Sequence, residues 1–256
     1  MGRSPVQSAT VHIIPAIDLL DGRCVRLTQG DYNTSTVYND DPAQQARAFA
    51  AAGATRIHVV DLDAARGGSD NRAAIAAIRA AVSCKIEVGG GVRSAEYIAT
   101  LFDLGVDFAI LGTVLARDTA LACSWAEQFP ERLIAGIDAR DSMVRVAGWQ
   151  QSAGVPVDEL VHAIDAAPFE SLAYTNIAND GMLSGPDIAG TLQVASISRH
   201  RLILSGGVSR TADVDHVCRA AGTAIDALIV GRALYEGTFD LAAAIERAAA
   251  CDREAT

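Results

Sequence analysis

Short apolar runs alternate with longer, alanine-rich amphipathic stretches along the whole chain. The runs are HIIPAID (12–18), RIHVVD (56–61), KIEV (85–88), DFAILG (107–112), RLIAGID (132–138), SLAYTN (171–176), RLILSG (201–206) and DALIVG (226–231). They are aliphatic or β-branched, and each leads into Asp, Asn or Gly. Strands of a parallel sheet buried on both faces read this way. Helices are predicted between them, over 42–52, 70–80, 94–104, 117–128, 156–166, 187–197, 211–221 and 238–250. Asp41-Pro42, Ser94 and Pro186-Asp187 supply start signals, and Gly53, Gly105 and Gly222 supply stops.

Eight strand–helix units in a row predict an α/β fold closed into a single (β/α)8 TIM barrel over 12–250, with a flexible tail at 1–11 and a short one at 251–256. An open doubly wound sheet is the alternative. No GxGxxG follows the first run, which argues against it.

Composition narrows the function. Half of the 256 residues are hydrophobic, but aromatic residues make up 5%, so aliphatic side chains must fill the interior. The net charge of −10 argues against nucleic-acid or anionic-membrane partners, though not against a small anion. Cysteines at 24, 84, 123, 218 and 251 are odd in number and include no CxxC, so they read as apolar filler in a reducing, cytoplasmic setting. No apolar run approaches the ~18 residues of a membrane span. Histidines 12, 58, 162, 200 and 216 are scattered without metal-ligand spacing, so no metal is expected.

The chain also repeats itself. IIPAIDLLDGR (13–23) resembles LIAGIDARDSM (133–143), and VVDLDAARGG (59–68) aligns with YTNIANDGML (174–183). VGGGVRSAE (88–96) and ILGTVLARD (110–118) likewise match LSGGVSRTAD (204–213) and IVGRALYEG (229–237), all at offsets of roughly 115 to 120 residues. Four landmarks in one order imply two (β/α)4 halves. Asp18 and Asp138 then end opposite strands and point into one mouth, as an acid–base pair requires. A single strand-end Asp reads equally well as a loop cap. The symmetric pair is what favours chemistry.

Glycines cluster after the third and fourth strands (Gly90, Gly91, Arg93; Gly112, Thr113) and after the seventh and eighth (Gly206, Gly207; Gly231, Arg232). Such turns bring backbone amides close to an anion. Two of them on opposite sides predict a substrate with a phosphate at each end. Gly185, in the loop after the sixth strand, is a further candidate amide for the second cradle. The long stretches after the first and fifth strands are candidate lids, carrying Arg26, Gln29 and Gly30 in one and Arg145 and Trp149 in the other. Trp149 suits stacking on a planar heterocycle or packing on the rim. Solvation is the default for either arginine.

IPAIDLLDGRCVRLTQGDY, HVVDLDAA, EVGGGVR, GIDAR with a later GW, YTNIANDGMLSGP, LSGGVS and VGRALYEG together resemble the phosphoribosylformimino-aminoimidazole carboxamide ribotide (ProFAR) isomerases of histidine biosynthesis, from about Ile13 to Ala248. The resemblance implies a cofactor-free Amadori rearrangement of an aminoaldose to an aminoketose. Asp138 would protonate the ribose ring oxygen and open the ring to a Schiff base. Asp18 would take the C2′ proton, and the enolamine would tautomerise to the ketone. Asn176 stands where many relatives carry Asp, so it can position but not shuttle a proton, with Thr175 assisting.

The rivals are the cyclase subunit of imidazole glycerol phosphate synthase, an isomerase that also accepts phosphoribosyl anthranilate, and a non-catalytic phosphate binder. The cyclase usually has a lysine soon after the first strand, whereas the first lysine here is Lys85. Both carboxylates are present, against the third. A monomer with a small-molecule partner is expected.

Overall fold

The computed structural model describes residues 10–28, 31–149, 151–221 and 224–254. Gln29, Gly30 and the predicted stop at Gly222 lie outside them, as do residues 1–9 of the expected tail.

Eight strands close a parallel barrel: β1 (His12–Leu20), β4 (Arg56–Asp61), β5 (Lys85–Gly89), β6 (Phe108–Leu111), β7 (Leu133–Arg140), β10 (Ser171–Asn176), β11 (Arg201–Ser205) and β12 (Ala227–Val230). Neighbours run in that order, β12 pairs with β1, and β7 pairs with β10. Three strands separate β1 from β7 in either direction around the ring, so the two stand opposite.

Period-two alternation divides the strand side chains between two cores. Ile14, Ala16, Phe108, Ile134, Ala173, Ile203, Ala227 and Ile229 fill the barrel interior. Ile17, Leu19, Ile57, Val88, Leu111, Ile137, Leu172 and Leu204 face outward into a larger core under the helices. That second layer is covered by α1 (Pro42–Ala51), α3 (Arg72–Ala81), α4 (Ala95–Asp103), α6 (Thr119–Gln128), α7 (Val157–Ile164), α8 (Ile188–Ile197), α9 (Asp213–Ala221) and α11 (Leu241–Glu254). Asp41, Ser94 and Asp187 accept backbone N–H groups at the starts of α1, α4 and α8, as their types predict.

The long stretches after β1 and β7 differ from the loops expected. Each folds back as an antiparallel hairpin that prolongs its barrel strand: β2 (Arg23–Thr28) with β3 (Asp31–Asn39), and β8 (Met143–Val146) with β9 (Gln151–Pro156). Both reversals are tight turns of two left-handed residues, Asp21 (φ 50°) and Gly22 (75°) in one, Asp141 (53°) and Ser142 (60°) in the other. Three short helices also escape the sequence pattern: α2 (Leu62–Arg66), α5 (Thr113–Arg117) and α10 (Arg232–Tyr235). The order of elements from β1 to α6 recurs from β7 to α11, except that α2 has no helical counterpart.

Candidate active site

Alternation also aims the chemistry. On β1 the inward positions run Ile14, Ala16, Asp18, and on β7 they run Ile134, Gly136, Asp138. Each aspartate therefore stands one inward step above the barrel core, at the C-terminal mouth. There a cleft of about 300 Å³ is lined by Asp18, Arg26, Gly90, Gly91, Arg93, Gly112, Thr113, Asp138, Arg145, Trp149, Thr175, Gly206, Gly207, Gly231 and Arg232, among others. Four arginines thus face three aspartates, the third being Asp180, and the local field suits an anion despite the acidic chain.

The two strand-end carboxylates live in different surroundings. Asp18 Oδ2 accepts Arg26 Nη1 at 2.6 Å, and both side chains are 14% exposed. Arg26 is therefore no solvated surface residue. Burial works against its charge, but Asp18, Tyr235 and Asp180 outweigh that and hold its pKa above the ordinary value. Its guanidinium also lies against Gly231, where any side chain would collide with it. Asp138 Oδ2 accepts the indole Nε1–H of Trp149 at 2.8 Å. Burial raises the Asp138 pKa, and the hydrogen bonds from Trp149 and Thr175 oppose the rise without cancelling it. Trp149 is aimed by a hairpin tip with three successive left-handed residues, Ala147 (φ 54°), Gly148 (62°) and Trp149 (71°). Left-handed backbone in non-glycine residues costs about 1–3 kcal/mol each, and such strain gathers at sites that use it.

The glycine turns form two matching cradles. Gly90 (φ 91°) sits against the backbone of Asp61, and Gly207 (φ 82°) against that of Gly185, so a side chain at either would meet main chain. Gly112 (φ −106°, ψ −88°) precedes α5, and Gly231 (φ −110°, ψ −100°) precedes α10 in nearly the same conformation. The first cradle is flanked by Arg93, whose Nη2 donates to Ala65 O at 2.7 Å, and the second by Arg232, whose Nη1 donates to Gly181 O at 2.7 Å.

Two expected site residues lie elsewhere. Thr175 faces inward, so its neighbour Asn176 must face outward. Asn176 donates to Asp187 Oδ2 at 2.7 Å and accepts Ala178 N at 3.0 Å, outside the cleft lining. The Gly185 amide donates to Gly207 O at 3.0 Å, so it is not available to the second cradle.

Sequence reading missed two groups. Asp180 lies four residues beyond Asn176, in a loop that curls back over the mouth. Burial pushes its pKa up to about 6, with Arg26 opposing and Asp18 and Asp138 adding to the push. His58, an inward position of β4, lines the cleft and shares a 2.7 Å hydrogen bond between its Nδ1 and Glu87 Oε1. The carboxyl only four residues beyond the end of β10 was the available signal for the first. The second shows only through strand parity.

A (β/α)8 barrel whose mouth gathers opposed carboxyl groups between two glycine cradles has the form of an enzyme site for a small molecule. Comparison with known proteins gives the family. The sequence model of the family described as "Histidine biosynthesis protein" matches residues 12–240. A 1-(5-phosphoribosyl)-5-((5-phosphoribosylamino)methylideneamino)imidazole-4-carboxamide isomerase of Magnetococcus marinus is 46% identical over 92% of this chain and 97% of its own. Proteins of the same name from Picosynechococcus sp. and Sphingopyxis alaskensis are 43% and 42% identical, over 92% and 94% of this chain and 93% and 100% of theirs. The chain belongs to this histidine-biosynthesis family, among its ProFAR isomerases.

Proposed function

We propose that this chain converts ProFAR to its ketose isomer by an Amadori rearrangement in histidine biosynthesis, with Asp18 as base and Asp138 as ring-opening acid. One observation carries the assignment: two inward-facing carboxyl groups from opposite strands share a cleft, one ion-paired to a guanidinium and the other raised by burial. A carboxyl group that holds its proton more tightly is the better donor, and pushing two carboxyls apart is how one site runs both steps.

The two cradles take the terminal phosphates, with Arg93 and Arg232 beside them. This leaves the aminoaldose sugar between the aspartates. Asp138 protonates the ring oxygen, the C1′–O bond opens, and the amine nitrogen's lone pair forms the Schiff base. Asp18 then removes the C2′ proton, giving the enolamine, which tautomerises to the aminoketose. The hairpins after β1 and β7 carry Arg26, Arg145 and Trp149 to the cleft. Among the described residues, the buried Nε atoms of Arg26 and Arg145 have no hydrogen-bond acceptor. Buried donors demand acceptors, and an oxygen-rich substrate supplies them. Asp180 is a second proton carrier within the same cleft.

The test is turnover of ProFAR by the purified chain, followed chromatographically. Asp18→Asn and Asp138→Asn should each lower kcat by about 10³-fold or more while ProFAR still binds. Asp180→Asn separates the two donors, because it flattens the pH–rate profile near pH 6 only where Asp180 carries the ring-opening proton. Wild-type protein that binds ProFAR without converting it would leave the phosphate-binder reading standing instead.

A further inference from the structure

The loop after β11 and the helix α9 that follows it run beside α11 and the loop before it, and the two segments are joined by successive rungs. Thr238 Oγ1 donates to Ser209 O at 2.7 Å, and Asp240 N donates to Thr211 Oγ1 at 2.9 Å. One step further along both helices, Arg247 Nη1 meets Asp215 Oδ2 at 2.7 Å. The next turn of each helix places Cys218 opposite Cys251, three residues beyond Asp215 and four beyond Arg247. The two thiols are near enough to perturb one another electrostatically, both are free, and both are partly exposed. Of the other three cysteines, Cys24 lies on β2, Cys84 just before β5 and Cys123 on α6.

This ladder begins at the second cradle. Asp213 at the start of α9 accepts Ser209 N, Ser209 Oγ and Arg210 N at 2.8, 2.8 and 3.1 Å, and so shapes the turn just after Gly206 and Gly207. The last helix follows Gly231 and α10. The rungs therefore tie together the two segments that leave the two strands of one cradle.

We propose that Cys218 and Cys251 form a reversible thiol–disulfide pair that staples α11 to α9 behind the second cradle. The co-reactant is a small disulfide such as oxidised glutathione. A thiolate of the pair attacks one of its sulfurs, a mixed disulfide forms, and one small thiol leaves. The second cysteine attacks the mixed disulfide and expels the second small thiol. Two protein thiols lose two electrons and two protons, and the small disulfide gains them. Burial, with the Cys251 contact adding, pushes the Cys218 thiol up to about 12. Either thiol can open the exchange, and the other then closes the bond with the advantage of an intramolecular partner. A bond between residues 218 and 251 closes a loop long enough to restrict the unfolded chain appreciably.

The experiment incubates the full chain with oxidised glutathione and maps its peptides without reduction. The expected product joins the Cys218 and Cys251 peptides, reverts with dithiothreitol, and raises the thermal midpoint by about 5 °C. Cys218→Ser and Cys251→Ser should each fold, lose the cross-link, and show no oxidation-dependent rise in midpoint. Separate glutathione adducts on both residues, a cross-link to any other cysteine, or a joined pair with an unchanged midpoint overturns the proposal.

Discussion

Asp18 and Asp138 occupy the same step of the same kind of strand on opposite sides of one ring, yet the fold treats them differently. The hairpin after β1 brings a guanidinium to Asp18, and the hairpin after β7 brings an indole N–H to Asp138. One partner carries a full positive charge, and the other is a neutral donor. The barrel supplies opposed placement. The two hairpins, outside the barrel wall, supply the asymmetry on which the proposed division into acid and base rests. A symmetric scaffold alone would hold two equivalent carboxyls, which is a poor arrangement for moving a proton from one side of a substrate to the other.

The comparison breaks most severely at Arg26. Arg26→Ala removes the partner of Asp18 and the group that fills the space beside Gly231. We expect kcat/KM to fall by about 10²-fold, some 2.7 kcal/mol, with KM raised as well as kcat lowered. Arg26→Lys keeps a charge but not the planar fork, so it should recover part of that loss and not all of it. Steady-state kinetics on the two variants decide the matter. An unchanged KM in Arg26→Ala would remove Arg26 from the second cradle.

A smaller effect sharpens the other side. Trp149→Phe keeps the ring and deletes the N–H that donates to Asp138. That hydrogen bond favours the carboxylate, so its loss lets burial raise the Asp138 pKa further. An acid must be protonated to act, so rate falls as pH rises through its pKa. The alkaline limb of kcat should therefore move to higher pH, with kcat at the optimum about tenfold lower because the carboxyl is less firmly held. A limb that moves to lower pH, or stays in place, contradicts Asp138 as the donor.

Much of this was legible in the sequence, for physical reasons. Barrel strands buried on both faces leave uninterrupted aliphatic runs, and glycine is demanded where main chain abuts main chain, as at Gly90 and Gly207. The hairpin strands were not legible. β3 reads DYNTSTVYN and β9 reads QSAGVP, polar segments without the apolar alternation of a half-buried strand. α2, α5 and α10 have five, five and four residues, too few to show a helical period. Asp180 escaped because its place in the cleft depends on how a loop curls, with left-handed turns at Gly181, Leu183 and Gly185. The position of Asn176 was available and unused. In SLAYTN, adjacent Thr175 and Asn176 cannot face the same way, so placing both in the site contradicted the strand they end.

That parity leads to the smallest effect and to a second pair of equivalent residues. Asp61 ends β4 as Asn176 ends β10, and the two align in the internal repeat. Both face away from the cleft and organise the loop that follows. Asp61 is fully buried and accepts Ala64 N, Asn71 N and Asn71 Nδ2 at 3.0, 2.8 and 2.7 Å. Asn176 is half-buried and makes one such bond to Ala178 N, besides donating to Asp187. Asn176→Ala should therefore lower unfolding free energy by about 1–2 kcal/mol and change kcat less than about threefold. Asp61→Ala, which strands the buried Asn71 N–H and leaves Asn71 Nδ2 with Asp63 and Leu19 alone, should destabilise by more than Asn176→Ala in the same urea titration. A large kcat loss in Asn176→Ala at unchanged stability would return that residue to the chemistry and defeat the assignment by strand parity.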